Sequence, residues 1–119
     1  MTTFERKFDL EQRLLRFAEN IRDFLRLTPN TAANFVYKDQ LLRSSSSIGA
    51  NYIEANDALG KGDFLMKIKT SRREAKETRY WLQLLELSDA PSLVAKQKVL
   101  VDEADQLVRI LSSIIQKLT

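Results

Sequence analysis

Cysteine and histidine, two residue types on which much protein chemistry depends, are missing from this chain of 119 residues. Without cysteine, neither a disulfide nor a thiolate metal site can form. Without histidine, the chain lacks the commonest general base, the commonest activator of a nucleophile and the commonest metal ligand. Any catalytic mechanism would have to use carboxylates or lysines.

Long apolar runs are missing as well. No stretch approaches the ~18 apolar residues that a bilayer span needs, so we expect no membrane partner. Charges are scattered through the N-terminal segment, residues 1–15, which is not the pattern of a signal peptide. We therefore expect a cytoplasmic location. With 44% apolar and 29% charged residues, the composition is typical of one soluble domain over residues 1–119.

Proline and glycine are scarce, and they divide the chain into four segments. The breaks fall at Pro29, at Gly60 and Gly62, and at Pro91. Between them the apolar residues recur every three or four positions, and no alternating stretch indicates a strand. We predict helices over about 3–27, 31–59, 63–87 and 92–118, with Asp63 as N-cap of the third. Equal lengths and short connections favour an all-α fold, an antiparallel up-down-up-down four-helix bundle.

Each predicted helix carries one seam of residues at core spacing. The seams are Leu10, Leu14, Phe17, Ile21 and Phe24; Leu41, Ser45, Ile48, Tyr52, Ala55 and Leu59; Phe64, Ile68, Ser71, Ala75 and Leu82; and Leu93, Gln97, Leu100, Ala104, Leu107, Leu111, Ile114 and Leu118. The second helix also has a face of small side chains that includes Ser44, Ser47 and Asn51. Small residues allow close packing of a neighbouring helix, although a surface open to a ligand is the alternative.

A turn at Gly60–Gly62 sets the register of the second and third helices. In an antiparallel hairpin closed there, Glu54 lies level with Lys67 and Arg43 lies level with Glu77. We predict an ion pair between the members of each couple, with charged atoms within about 4 Å.

The third and fourth helices also carry apolar residues outside their core seams. The six residues concerned are Trp81, Leu84, Val94, Val101, Val108 and Ile115. A wide helix that contacts two neighbours inside one bundle is one explanation. The other is an interface between copies of the chain, which we favour because adjacent tyrosine and tryptophan are typical of interface anchors.

The net charge of +3 resides in the third helical segment. Residues 61–87 contain seven basic and four acidic residues, and five of the cations fall within about a third of the helical circumference. These five are Lys69, Arg72, Arg73, Lys76 and Arg79. Such a face is suited to nucleic-acid phosphates. The alternative is an ordinary solvated face whose cations pair locally with Glu74 and Glu77.

Enzyme motifs are not found. The sequence GKGD lacks the length and the following Lys-Ser/Thr of a phosphate-binding loop. No Glu-x-x-His pair exists, which excludes the di-iron chemistry that helical bundles often host. The run Ser44–Ser47 has no recognisable base, and nothing sets the separation of Glu54 and Glu74. We therefore predict no enzymatic activity, no cofactor and no metal site.

Two motifs resemble a known family. The first is Arg43-Ser-Ser-Ser-Ser-Ile48-Gly-Ala-Asn51-Tyr-Ile-Glu54-Ala, and the second is Asp63-Phe64 followed by Lys76-Glu77-Thr78-Arg79-Tyr80-Trp81-Leu82. Together they resemble the 23S rRNA intervening-sequence proteins. The resemblance implies a bacterial, cytoplasmic four-helix bundle that assembles into a homopentameric ring with a basic surface, and it brings no catalytic residues. A related protein, the accessory protein of diversity-generating retroelements, is associated with nucleic acid and a reverse transcriptase.

Two functions follow from these observations. The first is a non-enzymatic homo-oligomer that binds nucleic acid, RNA or DNA, through the basic face of the third helix. Within this function we favour RNA or an RNA–protein complex as the target. A ring would repeat that face by symmetry and strengthen its potential. The second is a scaffold or adaptor whose apolar rows recruit a protein partner, with the basic face merely solvated. An enzyme or small-molecule carrier using a cavity near Asn51 and Glu54 is the third.

Overall fold

The computed structural model describes residues 2–119, which form four α-helices connected by short turns. Helix α1 spans Thr3–Leu25, α2 spans Ala32–Asn56, α3 spans Lys61–Leu84 and α4 spans Pro91–Leu118. Residues 2–119 contain no strand. Each helix packs antiparallel to the next, and α4 returns beside α1. The predicted all-α, up-down-up-down four-helix bundle is confirmed.

Local sequence explains where the helices begin. Helix α1 starts with a capping box, in which Thr2 Oγ1 accepts a hydrogen bond from the backbone N–H of Glu5 and the Glu5 carboxylate accepts one from Thr2, both at 3.1 Å. Thr31 Oγ1 caps α2 by accepting from the N–H of Asn34 at 3.0 Å. Helix α4 begins with Pro91, whose missing N–H would be unbonded at that position anyway.

Several helix ends differ from the prediction by two or three residues. The prediction that Asp63 is the N-cap of α3 is wrong, because the helix begins at Lys61 after an extended Gly60. Asp63 lies in the first turn, where a carboxylate interacts favourably with the helix dipole. Helix α2 ends at Asn56, so Leu59 no longer follows the helical spacing and is fully exposed instead of lying in the core. Apolar spacing does not show where a helix stops.

The core follows the predicted seams closely. Its buried apolar residues are Leu14, Phe17, Ile21, Phe24, Leu25, Leu41, Ile48, Tyr52, Ala55, Ile68, Ala75, Leu82, Leu85, Leu87, Leu93, Leu100, Ala104, Leu107, Leu111 and Ile115. On α4 the seam shifts at its C-terminal end, where Ile115 is buried and the predicted Ile114 is only half-buried. The predicted Gln97 is also half-buried, and its amide donates to the carbonyl of Leu82 at 2.7 Å.

The seam between α2 and α3 is closely packed and rich in buried polar contacts. The hydroxyls of Thr78 and Ser44 are hydrogen-bonded at 2.8 Å, and both residues are fully buried. Ser71 Oγ donates to the carbonyl of Ile48, also at 2.8 Å. Small side chains therefore bring the two backbones close together, which is the close packing predicted for the small face of α2.

Both predicted ion pairs form across this hairpin. Lys67 Nζ lies 3.3 Å from Glu54 Oε2, and Arg43 Nη2 lies 3.0 Å from Glu77 Oε2. Arg43 also binds Glu74, with Nη1 at 2.9 Å from Oε2, a contact that was not predicted. These ion pairs agree with the register that the short turn at Gly60–Gly62 sets for α2 and α3.

The seam between α1 and α4 is more open. Arg13 bridges it with two hydrogen bonds to the Glu103 carboxylate, at 2.7 and 2.8 Å. Open grooves lie on either side, one of about 380 Å³ beside Phe24 and Val99, and one of about 510 Å³ beside Phe64. None of the helices formed by residues 2–119 combines the length and the apolar content that a membrane span requires.

Candidate nucleic-acid interface

The five predicted phosphate-binding cations lie on one side of α3 and divide into two groups. Arg72 and Arg79 turn toward α4. The Nη1 of Arg72 donates to Ser112 Oγ at 3.3 Å, and Arg79 forms an ion pair with Asp105. Their charge is therefore held at the α3–α4 seam, where at least that of Arg79 is neutralised.

The other three cations, Lys69, Arg73 and Lys76, turn to solvent. All three are exposed, and none forms an ion pair with another residue among 2–119. Their spacing of four and three residues places them about 120–180° around the helix from the buried seam of α3. We call these three residues, together with Tyr80 at their C-terminal end, the outer face of α3.

The two acids that were the alternative partners of these cations face the other way. Glu74 is only 7% exposed, and both Glu74 and Glu77 bind Arg43 of α2. Burial raises the pKa of Glu74 above its ordinary value, with the neighbouring Glu77 adding to the rise and Arg43 opposing it. Because Arg43 holds both carboxylates, neither forms an ion pair with a predicted phosphate-binding cation in residues 2–119.

The pKa of Glu77 is shifted in the opposite direction. The hydrogen bond between Glu77 and Glu74 lowers the pKa of Glu77 most, and the hydrogen bond from Arg43 lowers it next. The positive charge of Arg73 adds a smaller lowering of the same pKa. Arg73 is thus near enough to Glu77 to affect the pKa of that carboxyl, although the ion-pair partner of Glu77 is Arg43. The guanidinium of Arg73 therefore keeps its donors for other partners.

Helix α4 adds one cation that the sequence analysis missed. Arg109 is exposed and lies one helical turn from both Asp105 and Ser112, the two residues of α4 that contact cations of α3. In this antiparallel register it lies level with the stretch between Arg73 and Lys76. The charge of a single helix could not reveal this neighbour, whereas the register of two helices does.

An aromatic cluster lies at the C-terminal end of the outer face of α3. Tyr80 is 58% exposed and follows Lys76 by one helical turn. Its ring meets the ring of Trp81 edge-on with centroids 5.3 Å apart, and Trp81 packs on Tyr37 of α2 at 6.1 Å. The sequence analysis assigned Trp81 to an oligomer interface and overlooked that Tyr80 lies beside the cations.

The six residues predicted as an oligomer interface do not form one exposed surface. Along α4 the exposed fraction falls from 39% at Val94 to 7% at Ile115, with Val101 and Val108 half-buried between them. A strict seven-residue repeat drifts by about 20° per heptad on a straight α-helix, so the row turns from the surface into the core. Trp81 is half-buried, whereas Leu84 stays at the surface. Of the six, only Ile115 is buried in the core of its own chain.

Large apolar side chains are also exposed on the first two helices. Among them are Phe4, Phe8, Leu15, Leu42 and Ile53, and we call these five residues the α1–α2 apolar face. Phe4 and Phe8 stack on each other with centroids 6.4 Å apart. The sequence analysis did not predict this face, because it considered only the core seams of these two helices.

The features considered for other chemistry are engaged in local contacts. The amide of Asn51 donates to the carbonyl of Ser47 at 2.9 Å, and Glu54 pairs with Lys67. Ser47 Oγ donates to the carbonyl of Arg43. Within the part of the chain that the structure describes, no three carboxylates converge as a metal site would need.

Comparisons with known proteins agree with this architecture. The family model of the 23S rRNA-intervening sequence protein matches residues 6–114. Among solved structures, the chain is similar to a protein of unknown function from the S23 ribosomal protein family of Bacteroides thetaiotaomicron VPI-5482. That match has 33% sequence identity and a TM-score of 0.76, and covers 88% of this chain and 96% of the other. No curated protein matches the chain significantly.

Proposed function

Because the chain belongs to the 23S rRNA-intervening sequence protein family, we propose that it is a non-enzymatic homo-oligomer that binds nucleic acid. The binding surface is the outer face of α3, supplemented by Arg109, and the target is RNA or an RNA–protein complex. Contacts to phosphates give affinity with little sequence preference.

The observation that carries this proposal is the pairing of charges around α3. Lys69, Arg73 and Lys76 are exposed without an ion pair in residues 2–119, while the nearby carboxylates are held by Arg43 at the α2–α3 seam. Cations that are already neutralised release few counterions from a phosphate backbone, whereas free ones release them fully. The outer face is therefore equipped to bind a polyanion.

Self-association is proposed to multiply this modest charge. The α1–α2 apolar face offers several large exposed side chains, a feature that is uncommon on monomers and typical of interaction sites. Helices α1 and α3 lie at opposite corners of the bundle, so contact through α1 and α2 leaves the outer face of α3 open. A ring of identical chains would present that face repeatedly on one assembly. The pentameric count is what the family resemblance implies.

A charge reversal with a matched control tests the nucleic-acid proposal. The test protein carries Lys69→Glu, Arg73→Glu and Lys76→Glu. The control carries Arg16→Glu, Lys96→Glu and Lys117→Glu, which change the net charge equally at exposed positions of α1 and α4. Binding of a fluorescent structured RNA at low salt should weaken by about 100-fold or more in the test protein, and much less in the control.

Native mass measurements complete the test. Both triple variants should keep the mass of the wild-type assembly, since none of the changed residues lies on the α1–α2 apolar face. If the wild type binds no RNA at low salt, or if the test variant binds as tightly as the control, the proposal is wrong.

A protein–protein adaptor is the second candidate, and the same α1–α2 apolar face favours it. The two are separated by Phe8→Ser with Leu42→Ser, compared with Leu59→Ser with Val99→Ser as a control at exposed apolar positions away from both proposed surfaces. Under the first proposal, the Phe8 and Leu42 changes reduce the native mass and weaken RNA binding through lost multivalency. Under the adaptor alternative, the purified chain keeps a monomer's mass before and after the change.

A further inference from the structure

We infer that the outer face of α3 binds unpaired nucleotides, with one base stacked on the ring of Tyr80 and the neighbouring phosphates along Lys76, Arg73 and Lys69. The inference rests on the proposed function and adds the class of nucleic acid. The shared chemistry is that of a single strand, either RNA or DNA.

Position on the helix is the first argument. Tyr80 follows Lys76 by four residues and Arg73 by seven, so all three side chains emerge on one side of α3. The tyrosine is 58% exposed, so much of its side chain is accessible beside the unpaired cations. A stacking ring that continues a line of phosphate-binding charges is the combination by which single-stranded nucleic acids are held.

The ring of Tyr80 is also held in place before any ligand arrives. The rings of Tyr80 and Trp81 are in edge-to-face contact, with centroids 5.3 Å apart and an interplanar angle of 67°. Tyr37 of α2 packs on Trp81 with centroids 6.1 Å apart. A preordered platform loses little freedom when a base stacks on it.

The shape of the surface favours unpaired over paired nucleotides. From Lys69 to Tyr80 the outer face is about 16 Å long and follows the rounded outer surface of the helix. A base inside a duplex is already stacked on both sides, so the ring of Tyr80 cannot stack on either of its faces. The major groove of an RNA duplex is too deep and narrow for side chains to read. A single strand has free base faces and bends over a convex surface.

Fluorescence from the protein itself supplies the experiment, because Trp81 is its one tryptophan. The probes are oligouridine and oligodeoxyuridine of roughly twelve nucleotides, an abasic strand of the same length, and an RNA duplex with the same number of base pairs. The proteins are the wild type, Tyr80→Phe, which keeps the stacking ring, and Tyr80→Leu, which removes it. Thermal unfolding of each variant verifies that the bundle is intact.

The inference expects a specific set of results. Tyr80→Leu should lose about fivefold to tenfold in affinity for the two single strands, Tyr80→Phe should lose less than about twofold, and neither should change affinity for the abasic strand or the duplex. Single strands should quench Trp81 emission, whereas the abasic strand should not. A preference for oligouridine over oligodeoxyuridine, which differ only in the 2′-hydroxyl, would assign the natural ligand to RNA, and equal affinities would assign it to single strands of either sugar.

Two failures are distinguishable. If the wild type binds single strands but Tyr80→Leu binds them equally well, the stacking inference is overturned and the phosphate-binding proposal stands. If the wild type binds none of the four probes even at low salt, both the inference and the proposed function are overturned.

Discussion

The α2–α3 seam and the outer face of α3 both carry many charges, but the two regions arrange them differently. At the seam, Arg43 of α2 binds Glu74 and Glu77, and Lys67 of α3 binds Glu54. These pairs lie beside buried hydroxyls and tie two helices together.

On the outer face, Lys69, Arg73 and Lys76 have no acidic partner among residues 2–119. Both regions include charged residues of the same helix, α3. The pairing of charges, and not their number, therefore separates a structural surface from a candidate binding surface.

Enlarging a buried residue at the seam should have the largest effect. Ser71 is fully buried and its hydroxyl donates to the carbonyl of Ile48. Ser71→Leu should force α2 and α3 apart and lower the free energy of unfolding by about 3 kcal/mol or more, measured by urea denaturation. Ser71→Ala, the matched control, removes only the hydrogen bond and should cost about 1 kcal/mol. Equal effects of the two substitutions would contradict close packing here.

Removing the cation of the seam should have the next largest effect, and the effect should depend on pH. Arg43→Ala leaves Glu74 buried without its cation, which should cost about 1–2 kcal/mol at pH 7 because Arg43 itself is half exposed. Urea denaturation at several pH values measures the cost. Adding Glu74→Gln should recover part of the loss, since an amide carries no charge to be buried.

The sign of the pH dependence follows from the two carboxyls. Burial raises the pKa of Glu74, so its contribution to stability is full below its unfolded pKa of about 4.3 and is lost as the pH rises through the folded value. Glu77, whose pKa is lowered, contributes above its unfolded pKa and loses that contribution on acidification. Arg43 favours the ionised form of both. The cost of Arg43→Ala should therefore shrink from pH 7 toward about pH 4, and a constant cost would contradict this account.

A comparison of two arginines on α3 tests whether pairing decides binding. Arg73 is unpaired in residues 2–119, whereas Arg79 is bound to Asp105 of α4. Arg73→Ala should weaken RNA binding by about threefold to tenfold at low salt, and Arg79→Ala by less than about twofold. Fluorescence anisotropy at one fixed salt concentration measures both. The reverse order would mean that paired and unpaired cations are equivalent on this protein.

The smallest effect is expected from the exposed ion pair of the seam. Lys67 and Glu54 approach to 3.3 Å, but Glu54 is largely solvated. Lys67→Ala should lower the free energy of unfolding by less than about 0.5 kcal/mol and leave RNA affinity within about twofold. A loss of RNA binding as large as that of Arg73→Ala would extend the binding surface to the seam.

Much of the fold could be predicted from the sequence because helical packing is periodic. The spacing of Leu14, Phe17 and Ile21, and of Leu107 and Leu111, places these residues in the core that the structure shows. The turn between α2 and α3 predicted two ion pairs correctly, since a short antiparallel hairpin allows only one register. Helix ends were less accurate, because Leu59 continues the apolar spacing after the backbone has already turned.

The candidate site was only partly predictable, because contacts between non-adjacent elements decide which charges stay free. The five cations of α3 were identified as a group, yet the pairing of Arg79 with Asp105 depends on the position of α4. Arg109 and the aromatic support of Tyr80 likewise arise from neighbouring helices. The row from Val94 to Ile115 was predicted to be a surface because its residues recur every seven positions. On a straight α-helix such a row turns by about 20° with each repeat, so its C-terminal end lies in the core.

The salt dependence of RNA binding shows whether the unpaired cations contact phosphates. If Lys69, Arg73, Lys76 and Arg109 do so, the logarithm of the association constant should fall with the logarithm of salt concentration with a slope of about −2 to −3 per chain. Affinity should then drop roughly 16- to 64-fold between about 50 and 200 mM salt. The variant with glutamate at Lys69, Arg73 and Lys76 should lose most of that slope. A wild-type slope near zero would contradict the account.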